Sequence, residues 1–210
     1  IHQASTMTTL PHLSPYLMLL TTTVFLLARL VKGVVGLGLP TLAMALLALA
    51  MPPAQAAALL ILPSLVTNVW QMRPWPTLAP MTRRLRSMQA GVVVGTLGGA
   101  WLLGAPAGAW AMQALGAALV VYGLWGLSGA RVSQVPAGAE RLLGPLVGAV
   151  TGLVTAATGV FVIPAVPYLQ ALGLSRDELV QAIGLSFTVS TVALAAGLML
   201  NGQCSAEALS

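Results

Sequence analysis

The sequence predicts an all-α, polytopic transmembrane helical protein with an inverted repeat of broken helices, and three observations carry that prediction. Charged residues make up 6% of the 210-residue chain and hydrophobic residues 58%, with a mean hydropathy of +0.92; a soluble domain carries roughly a quarter charged residues. Apolar runs long enough to cross a bilayer alternate with short arginine-bearing gaps. One interrupted apolar stretch occurs twice, from Gly33 to Gln71 and again from about Ala156 to Leu194.

The first copy reads GVVGLGLPTLAMALLALAMPPAQAAALLILPSLVTNVWQ, and the second contains ATGVFVIPAVPYLQALGLSRDELVQAIGLSFTVST. An offset of 123 residues superimposes Gly36 on Gly159, Ala50 on Gly173, Gln55 on Glu178, Thr67 on Ser190 and Asn68 on Thr191, and Pro40 falls one residue short of Pro164. Short hydrophobic segments broken by Gly and Pro at matching places in two halves point to a transporter binding site.

The chain begins at Ile1, and Met7 is a plausible start of translation. The run Leu13 to Val31 suffices for one span, and a signal peptide fits less well because no basic residue precedes it and further membrane sequence follows. Leu37 to Met51 is short for a full span and reads as a tilted half-helix or one arm of a re-entrant pair; Pro52 and Pro53 then force a turn. Ala54 to Met72 is a standard span. The segment 73–87 carries Arg73, Arg83, Arg84 and Arg86 without an acid, which predicts a cytoplasmic loop.

Two further spans, Met88 to Leu103 and Ala107 to Leu127, are joined at Gly104-Ala105-Pro106 and complete a first repeat half over 13–127. Trp101 and Trp110 flank that turn, whereas Trp70, Trp75 and Trp125 fall toward the other side, as interfacial aromatic belts require. Arg131 and Arg141 mark a second short cytoplasmic loop. Gly91, Gly95 and Gly99, and likewise Gly144, Gly148 and Gly152, recur at four-residue spacing and predict close helix packing. The second half, 142–200, reads as a span, a break at Thr155, Thr158, Gly159, Pro164 and Pro167, a short returning arm, a water-exposed turn at Leu174 to Glu178, and a helix from Leu179 to Leu200. Counted from the arginine-rich loop, the copies run in opposite senses. The second half has no counterpart to the last two spans of the first, which suggests a fragment lacking its last helices.

In hydrocarbon a Gly/Pro break is tolerated only where protein or a water-filled cavity pairs the freed backbone groups. Two facing breaks therefore make a polar site. Pro40 and Pro164 suit the first position of half-helices, whose N–H groups and positive dipole end favour an anion. Candidate lining groups are Gly36, Gly38, Thr41, Thr67, Asn68 and Gln71 in the first copy, with Thr155, Thr158, Gly159, Ser186, Ser190 and Thr191 in the second. Ser186 and Ser190 share a helix face. Lys32 directly precedes the first break and either attracts an anion or snorkels to the surface. The hydroxyls have an alternative role too, bonding a carbonyl one turn back.

Other chemistries lack their residues. GVVGLG has neither a preceding strand nor a following acid, so it is no dinucleotide loop. There is no HExxH, His2 and His12 lie outside the spans, and Cys204 is the only cysteine, so no metal site, cofactor or disulfide framework is expected. The net charge of +5, from eight Arg and one Lys against four acids, reads as topology rather than nucleic-acid binding.

These two copies, LVKGVVGLGLPTLAMALLALAMPPAQAAALLILPSLVTNVWQ and GAVTGLVTAATGVFVIPAVPYLQALGLSRDELVQAIGLSFTVS, resemble the sulfite exporter TauE/SafE family, also called the toluenesulfonate uptake permeases, over roughly residues 15 to 200. The resemblance implies a non-enzymatic secondary transporter of small sulfur-containing anions, such as sulfite or organosulfonates, in a bacterial inner membrane. By motif it carries over Lys32, Gly33, Gly36, Gly38 and Pro40, then Gly159 and Pro164. Val160 and Phe161 follow Gly159 where many members have further glycines. The expected partners are the anion and membrane lipid, with no nucleic acid and with homo-oligomerisation left open. The competing readings are a non-transporting membrane subunit and a permease for another small solute.

Overall fold

The computed structural model describes residues 39–128 apart from 105 and 107, together with residues 133–201. The predicted span over 13–31, with Lys32, Gly36 and Gly38, lies outside the described residues. Every regular element within them is helical: α1 (Leu39–Leu47), α2 (Pro53–Gln71), a 3₁₀ turn (Trp75–Thr77), α3 (Leu78–Leu103), α4 (Gly108–Leu127), α5 (Ala137–Thr158), α6 (Ala165–Ala171) and α7 (Arg176–Leu200). Four stretches are long and apolar enough to cross a membrane: Pro53–Gln71, Ala109–Leu127, Gly138–Thr158 and Arg176–Leu200. The 26-residue α3 is long enough as well but less apolar, since Gln89, Thr96 and four glycines dilute it.

Several predicted boundaries move. The segment 73–87 is a loop only as far as the 3₁₀ turn; Arg83, Arg84 and Arg86 stand in the first turns of α3. Their side chains are exposed, so helical backbone pairing there costs no charge burial. Arg141 likewise lies inside α5 rather than in a loop. Residues 174–178 are not wholly turn, because α7 starts at Arg176. Ser175 caps it: its Oγ accepts from the Glu178 amide at 3.4 Å, and its own amide donates to Glu178 Oε2 at 2.9 Å. This reciprocal capping box satisfies two otherwise orphan donors.

Contacts between the helices fix their directions. Gly91 of α3 lies on the backbone of Pro145 and Ala149, Gly99 on Leu153 and Ala156, and Gly148 and Gly152 lie on Met88, Val92 and Thr96. Residue numbers rise together along the two helices, so α3 and α5 run parallel with their predicted glycine stripes in register. Alanine at any of these contacts would force backbones apart, which is why small residues occupy them. Helix α7 also runs parallel to α3: Gln89 Nε2 donates to Ser186 Oγ at 2.7 Å near one end, and Asn201 Nδ2 to the Ala100 carbonyl at 3.2 Å near the other.

Helix α2 is antiparallel to α7. Gly184 meets Asn68 and Gln71, whereas Ser64 and Thr191 line a common small cavity further along. The inversion of the two copies is therefore a feature of the fold. All six described arginines are exposed and stand at one end, at the starts of α3, α5 and α7 and the end of α2. We call this end the arginine face. The backbone N–H of Val135 donates to the Ala171 carbonyl at 2.8 Å, so the chain that leaves the arginine face along α5 is back there when α6 ends. Segment 159–172 is thus the returning arm of a re-entrant hairpin.

Candidate functional site

Helix α5 stops because Gly159 adopts a left-handed conformation, φ +72°, which favours glycine. The Thr158 hydroxyl donates to the Val154 carbonyl at 2.7 Å and accepts from the Val160 amide at 3.1 Å. One side chain thus spans the break and pairs a backbone group the helix has released. The chain continues without regular structure to Pro164, the N-cap of α6. In the first copy Pro40 is the second residue of α1. Neither proline takes the predicted first helical position, but each stands within one residue of it.

The second break meets the first copy at α1 and α2. A Cβ on Gly159 would stand 2.9 Å from Met44 Cε of α1 and 3.3 Å from Ala57 Cβ of α2. Beside this crossing is a cavity of about 10 Å³, lined by Ser64, Gly159 and Thr191 with Ala57, Leu60, Ile61, Phe161 and Leu194. That volume is on the scale of one water molecule.

Along α2 one stripe of polar residues faces α7. Ser64, Asn68 and Gln71 follow i, i+4, i+7 spacing and so share a face. Ser64 and Asn68 have no exposed surface. Ser64 Oγ, both Asn68 side-chain polar atoms and Gln71 Oε1 are buried without a hydrogen-bond partner among the described residues. Thr41 Oγ1 in α1, and Gln89 Oε1 and Thr96 Oγ1 in α3, are in the same condition. A buried polar group left unpaired costs about 1–3 kcal/mol, so such a concentration calls for an explanation beyond packing.

Most of the other predicted lining hydroxyls among the described residues are buried or half-buried and hydrogen-bonded. Thr67 donates to the Ser64 carbonyl at 3.1 Å, Thr155 to the Thr151 carbonyl at 2.7 Å and Thr191 to the Phe187 carbonyl at 2.7 Å. Ser186 accepts from Gln89, and Ser190 is buried one turn further along α7. Sequence reasoning missed Ser64, Gln89, Thr96 and Gln181. The i, i+4 pairing of Ser64 with Asn68 was a usable signal; Gln89 was hidden because it immediately follows the basic segment.

Gln181, 1% exposed, is the best-satisfied of these residues. Its Nε2 donates to the Met72 carbonyl at 2.7 Å and to the Pro74 carbonyl at 2.8 Å, and its Oε1 accepts from Thr77 Oγ1 at 3.1 Å. It lines a cavity of about 640 Å³ at the arginine face with Arg73, Thr77, Arg84, Asp177 and Glu178. Arg84 is engaged there: its Nη2 donates to Glu140 Oε1 at 2.7 Å and to the Leu172 carbonyl at 3.1 Å. The Arg73 guanidinium stacks 3.8 Å above the Trp70 ring. Among the described residues, no cluster of His, Cys, Asp or Glu has the geometry to hold a metal ion.

A re-entrant arm in the second copy, with its following helix antiparallel to α2 across an uncharged polar seam, is an arrangement of the kind found in secondary transporters. A family model for the sulfite exporter TauE/SafE matches residues 21–210, and the chain belongs to that family, a family of membrane permeases for sulfur-containing anions rather than of enzymes. No curated protein and no solved structure matches the chain significantly.

Proposed function

We propose that this protein carries a small sulfur-containing anion, sulfite or an organosulfonate, across a bacterial inner membrane by alternating access, with the substrate held at the crossing of the two breaks. The observation that carries the reading is the stripe of buried, unpartnered polar atoms on α2 opposite the inverted repeat's helix α7. Asn68 Nδ2 and the Ser64 and Thr41 hydroxyls supply neutral donors. Neutral N–H and O–H donors hold an oxyanion through charge-assisted hydrogen bonds, and Lys32 attracts it toward the site. The left-handed Gly159 lets the backbone of the second copy approach the same point. The substrate-binding set is completed by Lys32, Gly36, Gly38 and Pro40 from the first copy and by Thr158, Pro164, Ser186 and Ser190 from the second. The arginine face is cytoplasmic in this reading.

The test is uptake into proteoliposomes of labelled sulfite and of a short alkyl sulfonate, with chloride and a neutral sugar as controls. Saturable uptake of a sulfur oxyanion that is lost in Asn68→Leu supports the proposal, and Lys32→Ala weakens uptake without loss of membrane insertion. If a folded, inserted protein moves no anion, the chain is a non-transporting membrane subunit instead.

A further inference from the structure

The α2/α7 seam is continuous from the arginine face to the break. On α7, Gln181, Gly184 and Thr191 follow one helix face. Gln181 lines the 640 Å³ cavity, Gly184 lies against Asn68 and Gln71, and Thr191 lines the small cavity with Ser64. The large cavity therefore ends at Gln181 about one helical turn from the unpartnered atoms of Gln71 and Asn68. What separates them is a strap, the α2–α3 connection through Met72, Pro74 and Thr77. Gln181 alone ties all three of those residues to α7 by hydrogen bonds.

We propose that the arginine-face cavity is the entrance vestibule of the transport path and that Gln181 is its gate. Released from Gln181, the strap swings from α7 and joins the vestibule to the polar stripe; bonded to it, the strap seals the stripe. The vestibule suits transit rather than retention, because its charges balance: Arg84 is paired with Glu140, Glu178 is held by the Ser175 amide and hydroxyl, and Arg73 and Asp177 both line the cavity. This inference rests on the reading of the α2 stripe as the transport site.

The test separates the two ideas by reading accessibility rather than transport. In the full chain with Cys204→Ser, Asn68→Cys reports on the seam, and a membrane-impermeant thiol reagent is applied from the arginine face. Adding Gln181→Ala speeds labelling about tenfold, the change expected when two or three net hydrogen bonds that hold a closed state are removed. Thr77→Val, which leaves the Gln181 side chain in place, speeds it by a smaller factor and covers the case in which Gln181→Ala fails to fold. Thr77→Cys with Gln181→Cys, joined by a short bifunctional thiol reagent, abolishes sulfite uptake in the Cys204→Ser protein, and reductive cleavage of the link restores it. Labelling unchanged in both Gln181→Ala and Thr77→Val, or uptake that persists in the cross-linked protein, overturns the gate. Faster labelling in a protein that moves no sulfur anion sustains the gate and refutes the substrate.

Discussion

Two seams run through this fold, and they are built on opposite principles. Between the parallel helices α3 and α5, Gly91, Gly95, Gly148 and Gly152 lie directly on the backbone of the facing helix with no room for a methyl group, and Gly99 lies on the Ala156 and Leu153 side chains. Between α2 and α7 the helices are antiparallel, and Ser64 and Asn68 are buried there with side chains that have no partner among the described residues. Packing alone accounts for the first seam, since lipid offers no hydrophobic drive and close approach is what holds transmembrane helices together. It cannot account for the second, where apolar residues of similar shape would be nearly neutral or stabilising. In the proposed function the dry seam is the frame and the polar seam is the working part.

The largest test of that contrast is on the frame. Gly95→Leu drives a side chain into the Ala149 backbone and should cost about 3 kcal/mol or more, seen as loss of monodisperse protein after mild heating in detergent. A variant as stable as the parent would remove the distinction between the seams. Asn68→Leu should do the reverse: melting temperature unchanged or raised, and anion uptake reduced at least about tenfold, a loss corresponding to about 1.4 kcal/mol. A variant that melts earlier and still transports would make Asn68 part of the frame.

Gly159→Ala sits where the seams join. The left-handed backbone costs a non-glycine residue about 1–2 kcal/mol, and the new methyl also displaces Met44. Adding Met44→Ala should relieve the second effect and not the first, so a thermal-shift series on the two single variants and the double variant apportions them. Arg84→Ala should have the smallest effect, about 1 kcal/mol or less, because the Arg84–Glu140 pair is 40% and 17% exposed; unchanged uptake with slightly lower stability is expected.

Much of this division was legible in the sequence. The breaks at Gly159 and Pro164, the glycine stripes and the inverted sense of the copies follow from spacing and from arginine placement. Which hydroxyls remain free did not. Thr67 and Thr191 close onto carbonyls of their own helices, whereas Ser64, on a neighbouring turn, does not; composition cannot distinguish these cases because rotamer and neighbour decide them. Gln89 became visible only through the register of α3 on α7, a tertiary property. The start of α3 was misjudged for a local reason: exposed arginines mark a membrane face but do not interrupt a helix, and arginine is a good helix former.

The order of synthesis gives the polar stripe a further consequence. About 100 residues separate the end of α2 from the start of α7, roughly 5 to 20 s of translation. Throughout that interval Ser64, Asn68 and Gln71 lack the helix that will cover them, while α3 and then α5 are completed and can dock through their glycines before α7 is made. A nascent chain stalled before α7 would thus present a folded frame with an uncovered polar flank, the kind of surface that membrane quality-control proteases can recognise.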